Sequence, residues 1–197
     1  MGKNLGHKSS KNIRLESLLE KNTLNVVFYS DSFVKTRFFV KMMSEWDSPV
    51  FYFDFDLLYS GYATAGETSF PKNITILSPG NDNLLENLKS VISKISKTKS
   101  LIVLDSLNGF FNLLEDKKDA ARLINSFIML LTSTAKDVKS RVIVGSLSKL
   151  NDENKWVLYN TGRHELENDH MTRIQLVESD TGIVAKMLNP DNLILEI

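Results

Sequence analysis

The chain has 197 residues with 24 basic and 24 acidic side chains, so no excess charge favours a nucleic acid or a membrane surface as partner. Cysteine is absent and three histidines are scattered, which excludes disulfide bonds, thiolate metal sites and cysteine catalysis and leaves no zinc-binding pattern. The apolar runs are far shorter than a membrane span, and we expect a cytoplasmic protein without a membrane segment.

The N-terminal residues carry only basic charges. Residues 1–12 contain Lys3, Lys8 and Lys11 and no acidic residue, which is typical of a flexible basic arm. At residue 13 the pattern changes, and apolar residues at helical spacing predict the start of folded structure. The length and composition suit one domain, which we expect over 13–197.

Strand and helix patterns alternate through most of this domain. Short apolar runs predict strands over 24–29, 49–54, 73–77, 100–105 and 141–145. Apolar residues three or four apart predict helices over 32–45, 84–95 and 121–131. Such alternation is typical of an α/β fold with a mostly parallel central sheet flanked by helices on both faces.

The last part of the chain has a different pattern. Runs at 171–177, 183–187 and 193–196 are separated by turn residues, with no helix between them. They predict an antiparallel C-terminal extension at one edge of the sheet.

Acids and hydroxyls gather where the predicted parallel strands end. Open parallel sheets bind ligands at the carboxyl ends of their strands, so these residues are candidates for a site. They are Ser30, Asp31, Ser32, Asp54, Asp56, Asp105, Ser106 and Ser146.

The order and spacing of these elements resemble the RecA/RadA/KaiC superfamily over residues 13–190. The sharpest points of likeness are Lys35-Thr36 after the first strand and the strand-end sequence Leu-Ile-Val-Leu-Asp-Ser at 101–106. The chain resembles especially the short archaeal RadA paralogues that lack the larger protein's N-terminal domain. The resemblance implies a RecA-like, P-loop-type core and a role in DNA recombination and repair.

The phosphate-binding loop departs from the Walker A motif of that family. Lys35-Thr36 aligns with the end of the motif, which places Tyr29 and Val34 where the family has glycine. Glycine lets backbone N–H groups curl around phosphate, whereas Val34 is β-branched and unsuited to positive φ. We therefore expect a degenerate Walker A motif and a pseudo-ATPase with no cofactor, although ATP and Mg²⁺ are the ligands of an intact site.

Two alternatives stay open for this loop. A reshaped loop at a helix N-terminus can still attract an anion, or the helix start has no binding role and Lys35 is a surface residue. Glycine at Tyr29 and Val34 is expected to raise nucleotide affinity at a modest cost in stability.

The resemblance also implies roles for single side chains. The implied nucleotide-binding residues are Ser32, Lys35, Thr36, Asp105 and Ser106. Asp105 is the Walker B carboxylate that holds Mg²⁺ if a nucleotide binds; the alternative is a carboxylate hydrogen-bonded at a strand end. Asp56 is the catalytic candidate, but it replaces a glutamate and loses about 1.5 Å of reach, so we expect slow or absent hydrolysis.

Residues 146–170 lie where the superfamily has loops that face DNA or a neighbouring subunit. The implied nucleic-acid or partner contacts are Lys149, Arg163 and His164. Acidic residues are interspersed with them, which favours a solvated loop.

These observations predict a non-hydrolysing accessory or scaffold protein in DNA recombination and repair. Its expected partners are further copies of the chain or a RecA-like paralogue, with weak binding to DNA or RNA. The alternatives are a divergent ATPase that hydrolyses ATP with Mg²⁺, and an RNA-binding ring scaffold like the RecA-like Elongator subunits.

Overall fold

The computed structural model describes residues 15–19, 21–66, 71–153, 156–159, 170–180, 182–189 and 193–197. The expected basic arm at 1–12 lies outside these residues, as do Arg163 and His164. Within the described ranges, no helix combines the length and the apolar composition that a membrane crossing requires.

Helices and strands alternate up to the fifth strand, except that α5 and α6 follow each other, and the described residues after that strand form strands but no helix. The helices in the described residues are α1 (Leu15–Leu19), α2 (Ser32–Ser44), α3 (Leu58–Thr64), α4 (Leu84–Ile95), α5 (Leu107–Leu113) and α6 (Ala120–Asp137). The strands there are β1 (Leu24–Tyr29), β2 (Val50–Asp54), β3 (Ile74–Leu77), β4 (Leu101–Asp105), β5 (Arg141–Leu150), β6 (Trp156–Leu158), β7 (Met171–Ser179), β8 (Gly182–Asn189) and β9 (Ile194–Glu196).

The strands form one sheet in the order β3-β2-β4-β5-β1-β7-β8-β9, and β6 pairs with β5 beside this path. The pairs from β3 to β7 are parallel, and β8 and β9 continue antiparallel beyond β7. Every residue of β1, β2 and β4 is buried, which explains their mainly apolar sequences. The predicted mostly parallel sheet with a C-terminal antiparallel extension is confirmed.

Apolar side chains cover both faces of the sheet. Along β1, Val26 and Phe28 pack on the face covered by α4, α5 and α6. Val27 and Tyr29 pack on the opposite face, beneath α1 and α2. Successive side chains of a strand point to opposite faces, so Tyr29 at the end of β1 is directed towards α2.

Three features of the fold differ from the sequence expectations. The short helices α3 and α5 have no counterpart in the predicted elements, although apolar residues stand at helical spacing along α5 and its C-cap, at Leu107, Phe110, Phe111 and Leu114. Strand β5 continues to Leu150 and pairs with β6, so the expectation of a loop over 146–170 is wrong for these two segments. Ser146 and Ser148 are buried there and share a hydroxyl hydrogen bond of 2.8 Å, so polar residues continue the strand where the apolar pattern stops.

Candidate functional site

The loop between β1 and α2 consists of only Ser30 and Asp31. The backbone N–H of Lys35 donates to the carbonyl oxygen of Asp31 at 3.2 Å, so Val34 and Lys35 belong to the helix and not to a loop before it. A phosphate cradle uses backbone N–H groups of residues between the strand and the helix. Between β1 and α2, only Ser30 and Asp31 supply such N–H groups.

The side chain of Asp31 caps the start of α2. Its Oδ1 accepts hydrogen bonds from the backbone N–H groups of Phe33 at 2.6 Å and Val34 at 3.0 Å. These N–H groups are among those that attract an anion to a helix N-terminus. The chain's own carboxylate therefore occupies the position of the anion, and its charge repels a second one.

Removing this cap is expected to lower the free energy of unfolding. Asp31→Ala loses two hydrogen bonds to the helix start, and N-cap replacements of this kind cost about 1 kcal/mol. Asp119 is the matched control, because it precedes α6 without a side-chain hydrogen bond to the helix. Urea unfolding should show a smaller loss for Asp119→Ala, and equal losses would contradict the capping role of Asp31.

Lys35 is a fully buried cation. Its Nζ donates to both carboxylate oxygens of Asp105, at 2.7 and 2.8 Å, and lies 3.7 Å from Oδ2 of Asp56. It also lies 5.5 Å from the centre of the Tyr29 ring. The alternative that Lys35 is a surface residue is wrong, because its side chain is 0% exposed. As the fourth residue of α2, it faces the sheet and reaches the end of β4.

Asp105 is satisfied by its neighbours. The hydroxyl of Tyr52 on β2 donates to Oδ2 of Asp105, in addition to the two bonds from Lys35. Burial raises the pKa of Asp105, whereas the charge and hydrogen bond of Lys35 and the hydrogen bond of Tyr52 act in the opposite direction. Burial, followed by the nearby Asp105 carboxylate, raises the pKa of Tyr52 well above its usual value, so the phenol keeps its proton and donates.

Sequence reasoning missed Tyr52. It stands in the middle of an apolar run, and apart from its own hydroxyl group the surrounding sequence contains nothing that indicates a polar contact. A tyrosine hydroxyl within a fully buried strand needs a partner, and this signal could have identified it.

A second buried carboxylate lies beside Asp105. Asp54 is its register partner on β2, and Oδ2 of Asp54 accepts from the backbone N–H of Ser60 at 2.7 Å and from the Ser60 hydroxyl. Burial and the charge of Asp54 raise the pKa of Tyr59 to about 12. Asp54 thus fixes the start of α3 over the end of β2.

Two glycines leave room for the acidic side chains. A Cβ at Gly145 on β5 would lie 3.3 Å from Oδ1 of Asp105, and a Cβ at Gly109 on α5 would overlap the Asp56 carboxylate. Both glycines therefore permit a close approach of backbone to carboxylate.

The other predicted site residues have local roles in the described structure. Ser106 is buried and caps α5, since its hydroxyl accepts from the backbone N–H of Gly109 at 3.1 Å. The Thr36 hydroxyl donates to the carbonyl oxygen of the exposed Ser32 at 2.8 Å, so it bonds along the helix. Asp56 is 23% exposed and borders the Lys35–Asp105 pair.

Lys149 lies on a different part of the structure. It is exposed on β5, and its Nζ is 5.5 Å from the centre of the Tyr159 ring. The side chain of Asn108 on α5 holds this hairpin by bonding to the backbone of Leu147, at 2.9 and 3.2 Å. Of the predicted site residues, the structure thus brings Lys35, Asp56 and Asp105 together.

A crystal structure of the RadB recombinase matches this architecture with a TM-score of 0.59 and 16% sequence identity, over 92% of this chain and 90% of that one. The chain has a RecA-like fold. No family model matches the sequence, and no curated protein matches it. At this level of identity the likeness extends to the fold alone.

The residues at this edge of the RecA-like fold do not fit Mg²⁺-ATP as they are arranged. Both oxygens of Asp105 accept from Lys35, and the N–H groups at the start of α2 are bound to Asp31. A nucleotide would have to break the Lys35–Asp105 pair and displace the Asp31 cap.

Proposed function

We propose that this chain is a degenerate RecA-like domain, related to short archaeal RadA paralogues, that acts without ATP hydrolysis as an accessory or scaffold protein in DNA recombination and repair. One observation carries this proposal: the buried ammonium group of Lys35 donates to both oxygens of Asp105. The resemblance to the superfamily assigns these two residues to phosphate and to Mg²⁺. Because they bind each other, neither is available to a nucleotide.

Opening this pair carries a large energetic cost. Removing one partner from a buried ion pair destabilises a protein by about 3–5 kcal/mol, because the other charge is left uncompensated. A ligand that separates the pair must offset a cost of this kind with its own contacts. Since each 1.4 kcal/mol changes an affinity about tenfold, a cost of roughly 4 kcal/mol weakens nucleotide binding about a thousandfold.

The start of α2 supports the same proposal. Val34 is buried within the helix where the Walker A motif has glycine, and Asp31 caps the N–H groups. A phosphate at the start of α2 would meet the Asp31 carboxylate instead of free N–H donors.

An accessory role follows from what such a domain retains. A RecA-like fold that has lost catalysis can retain the surface that contacts further copies of the chain or a RecA-like paralogue. Through this surface it changes how readily the partner assembles. The balanced charge of the chain favours weak, salt-sensitive contact with DNA or RNA over tight binding.

Phosphate release from Mg²⁺-ATP tests the proposal. We expect no turnover above background for the wild-type chain. A rate near that of a median enzyme, about 10 s⁻¹, that is lost in Asp56→Asn would contradict it. Asp56 is suited to this control because it is partly exposed, so its replacement leaves the buried Lys35–Asp105 pair in place.

A divergent ATPase is the second candidate. The observation that favours it is the grouping of Lys35, Asp56 and Asp105, with the Lys35 Nζ 2.7 Å from Asp105 and 3.7 Å from Asp56. For a divergent ATPase, we expect the wild-type chain to release phosphate from Mg²⁺-ATP and Asp56→Asn to lose this turnover. The same assay therefore distinguishes the two functions.

A further inference from the structure

A groove of about 550 Å³ runs along the outer side of α2. It is lined by exposed and half-buried residues of α2, by Tyr62 of α3, by Ile183 of β8 and by the C-terminal residue Ile197. Lys35 lies on the opposite, buried side of the same helix. The groove is therefore separate from the Lys35–Asp105 pair.

Two cations line the groove without ionic partners. Arg37 and Lys41 are exposed and stand four residues apart, so they lie on the same side of α2, about 5–6 Å apart at Cβ. In the described part of the chain neither forms an ion pair, and no lining residue is acidic. Within the described residues, the charged side chains that line the groove are therefore both positive.

Apolar side chains surround these cations. Phe33, in the first turn of α2, is 61% exposed, the half-buried Val40 and Tyr62 add to this apolar surface, and the buried Ile183 lies beneath it. Exposed apolar surface rimmed by polar groups is characteristic of protein interaction sites. A fitting partner carries apolar groups for this surface and negative charges for the two cations.

We propose that this groove binds an acidic amphipathic segment of a partner protein. The α2 lining extends from Phe33 to Ser44, about 16 Å at 1.5 Å per residue, which matches three turns of a bound helix. Carboxylates four residues apart on such a helix match the spacing of Arg37 and Lys41, while its apolar side chains contact Phe33 and Val40.

The composition of the groove favours an acidic protein segment over a nucleic acid. Affinity for a nucleic acid grows with the number of neutralised phosphates, and the groove offers only two cations, on walls that are mainly apolar. The inference goes beyond the proposed function and does not depend on whether the chain binds a nucleotide.

A fluorescent peptide of roughly four helical turns, with Leu along one face and Glu beside it, is the probe. The matched peptide carries Gln in place of each Glu. In anisotropy titrations with the full chain, we expect the Glu peptide to bind and the Gln peptide to bind at least roughly tenfold more weakly. Added salt should weaken binding of the Glu peptide alone.

Variants place the binding in the groove. We expect R37E/K41E to lower the affinity for the Glu peptide at least roughly tenfold, because two charge attractions between the groove and the peptide become repulsions. The matched control K89E/R122E reverses one Lys and one Arg that are exposed on α4 and α6, and it should bind like the wild type. Phe33→Ala keeps both charges and should weaken both peptides, since it removes the apolar contact.

Several outcomes would overturn the inference. It is wrong if the chain fails to bind the Glu peptide, or if it binds the Glu and Gln peptides equally well. It is also wrong if R37E/K41E and K89E/R122E weaken binding of the Glu peptide by the same factor. If the chain binds a single-stranded oligonucleotide instead of the Glu peptide, and R37E/K41E abolishes that binding, the groove is a nucleic-acid site. None of these results alters phosphate release, so they are distinguishable from failure of the proposed function.

Discussion

Replacement of Lys35 by methionine is expected to destabilise the fold by about 3–5 kcal/mol, because Asp105 is then left buried without its cation. Methionine keeps most of the length and the apolar packing of the lysine side chain, so the loss reports mainly the charge. Urea unfolding measures the change. A loss below about 1 kcal/mol, the size of an exposed ion pair, would contradict a buried pair at this position.

The double variant K35M/D105N is the control. It removes both charges together, and replacing a whole buried pair is far less costly than breaking it. We expect K35M/D105N to recover a large part of the stability that K35M loses. A double variant that is no more stable than K35M would mean that the packing of Lys35, and not its charge, stabilises the fold.

The pH dependence of K35M gives an independent signature. Burial raises the pKa of Asp105, and loss of the Lys35 charge raises it further. Because the unfolded chain then releases this proton at lower pH than the folded chain, stability falls as the pH rises between the two pKa values. The unfolding free energy of K35M, relative to K35M/D105N, should therefore decline from about pH 4 upward. A constant difference would contradict a buried Asp105.

Glycine at both Tyr29 and Val34 is expected to destabilise the chain by roughly 5 kcal/mol or more, since the exchange removes two packed side chains. Tyr29 is 2% exposed with Lys35 over its ring, and Val34 is 5% exposed inside α2. The modest cost expected from the sequence is revised for this reason. We also expect no gain in nucleotide affinity, because the Asp31 cap and the Lys35–Asp105 pair remain.

Y29F/V34A is the matched control for this variant. It retains the aromatic ring and a helix-forming residue, so it should lose much less stability than Y29G/V34G. Urea unfolding and calorimetric titration with Mg²⁺-ATP measure the two properties. A Y29G/V34G variant that stays as stable as the control and gains nucleotide affinity would show that the two side chains alone close the site.

The sheet could be predicted from the sequence because its central strands are buried on both faces. Strands β1, β2 and β4 then appear as mainly apolar runs, with only the buried Asn25 interrupting β1, and α4 and α6 show apolar residues at helical spacing. In contrast, α3 buries few side chains, with Tyr59 the clearest, so its sequence carries little periodicity.

The candidate site was only partly predictable. The predicted helix over 32–45 correctly placed Lys35 inside α2, but the sequence did not show that its side chain is buried. Asp31 was the available signal for the start of α2, because aspartate is a preferred N-cap residue. The contact between Lys35 and Asp105 joins residues 70 positions apart, and no local pattern specifies such a pair.

The most direct test of the proposed loss of nucleotide binding is the unfolding free energy of the wild-type chain with and without saturating Mg²⁺-ATP. If Lys35 and Asp105 remain bound to each other, the nucleotide has no site in the folded chain, and the two urea curves should coincide. A ligand at a hundred times its Kd adds about 2.7 kcal/mol, so a stabilisation of that size would contradict the proposed loss of nucleotide binding.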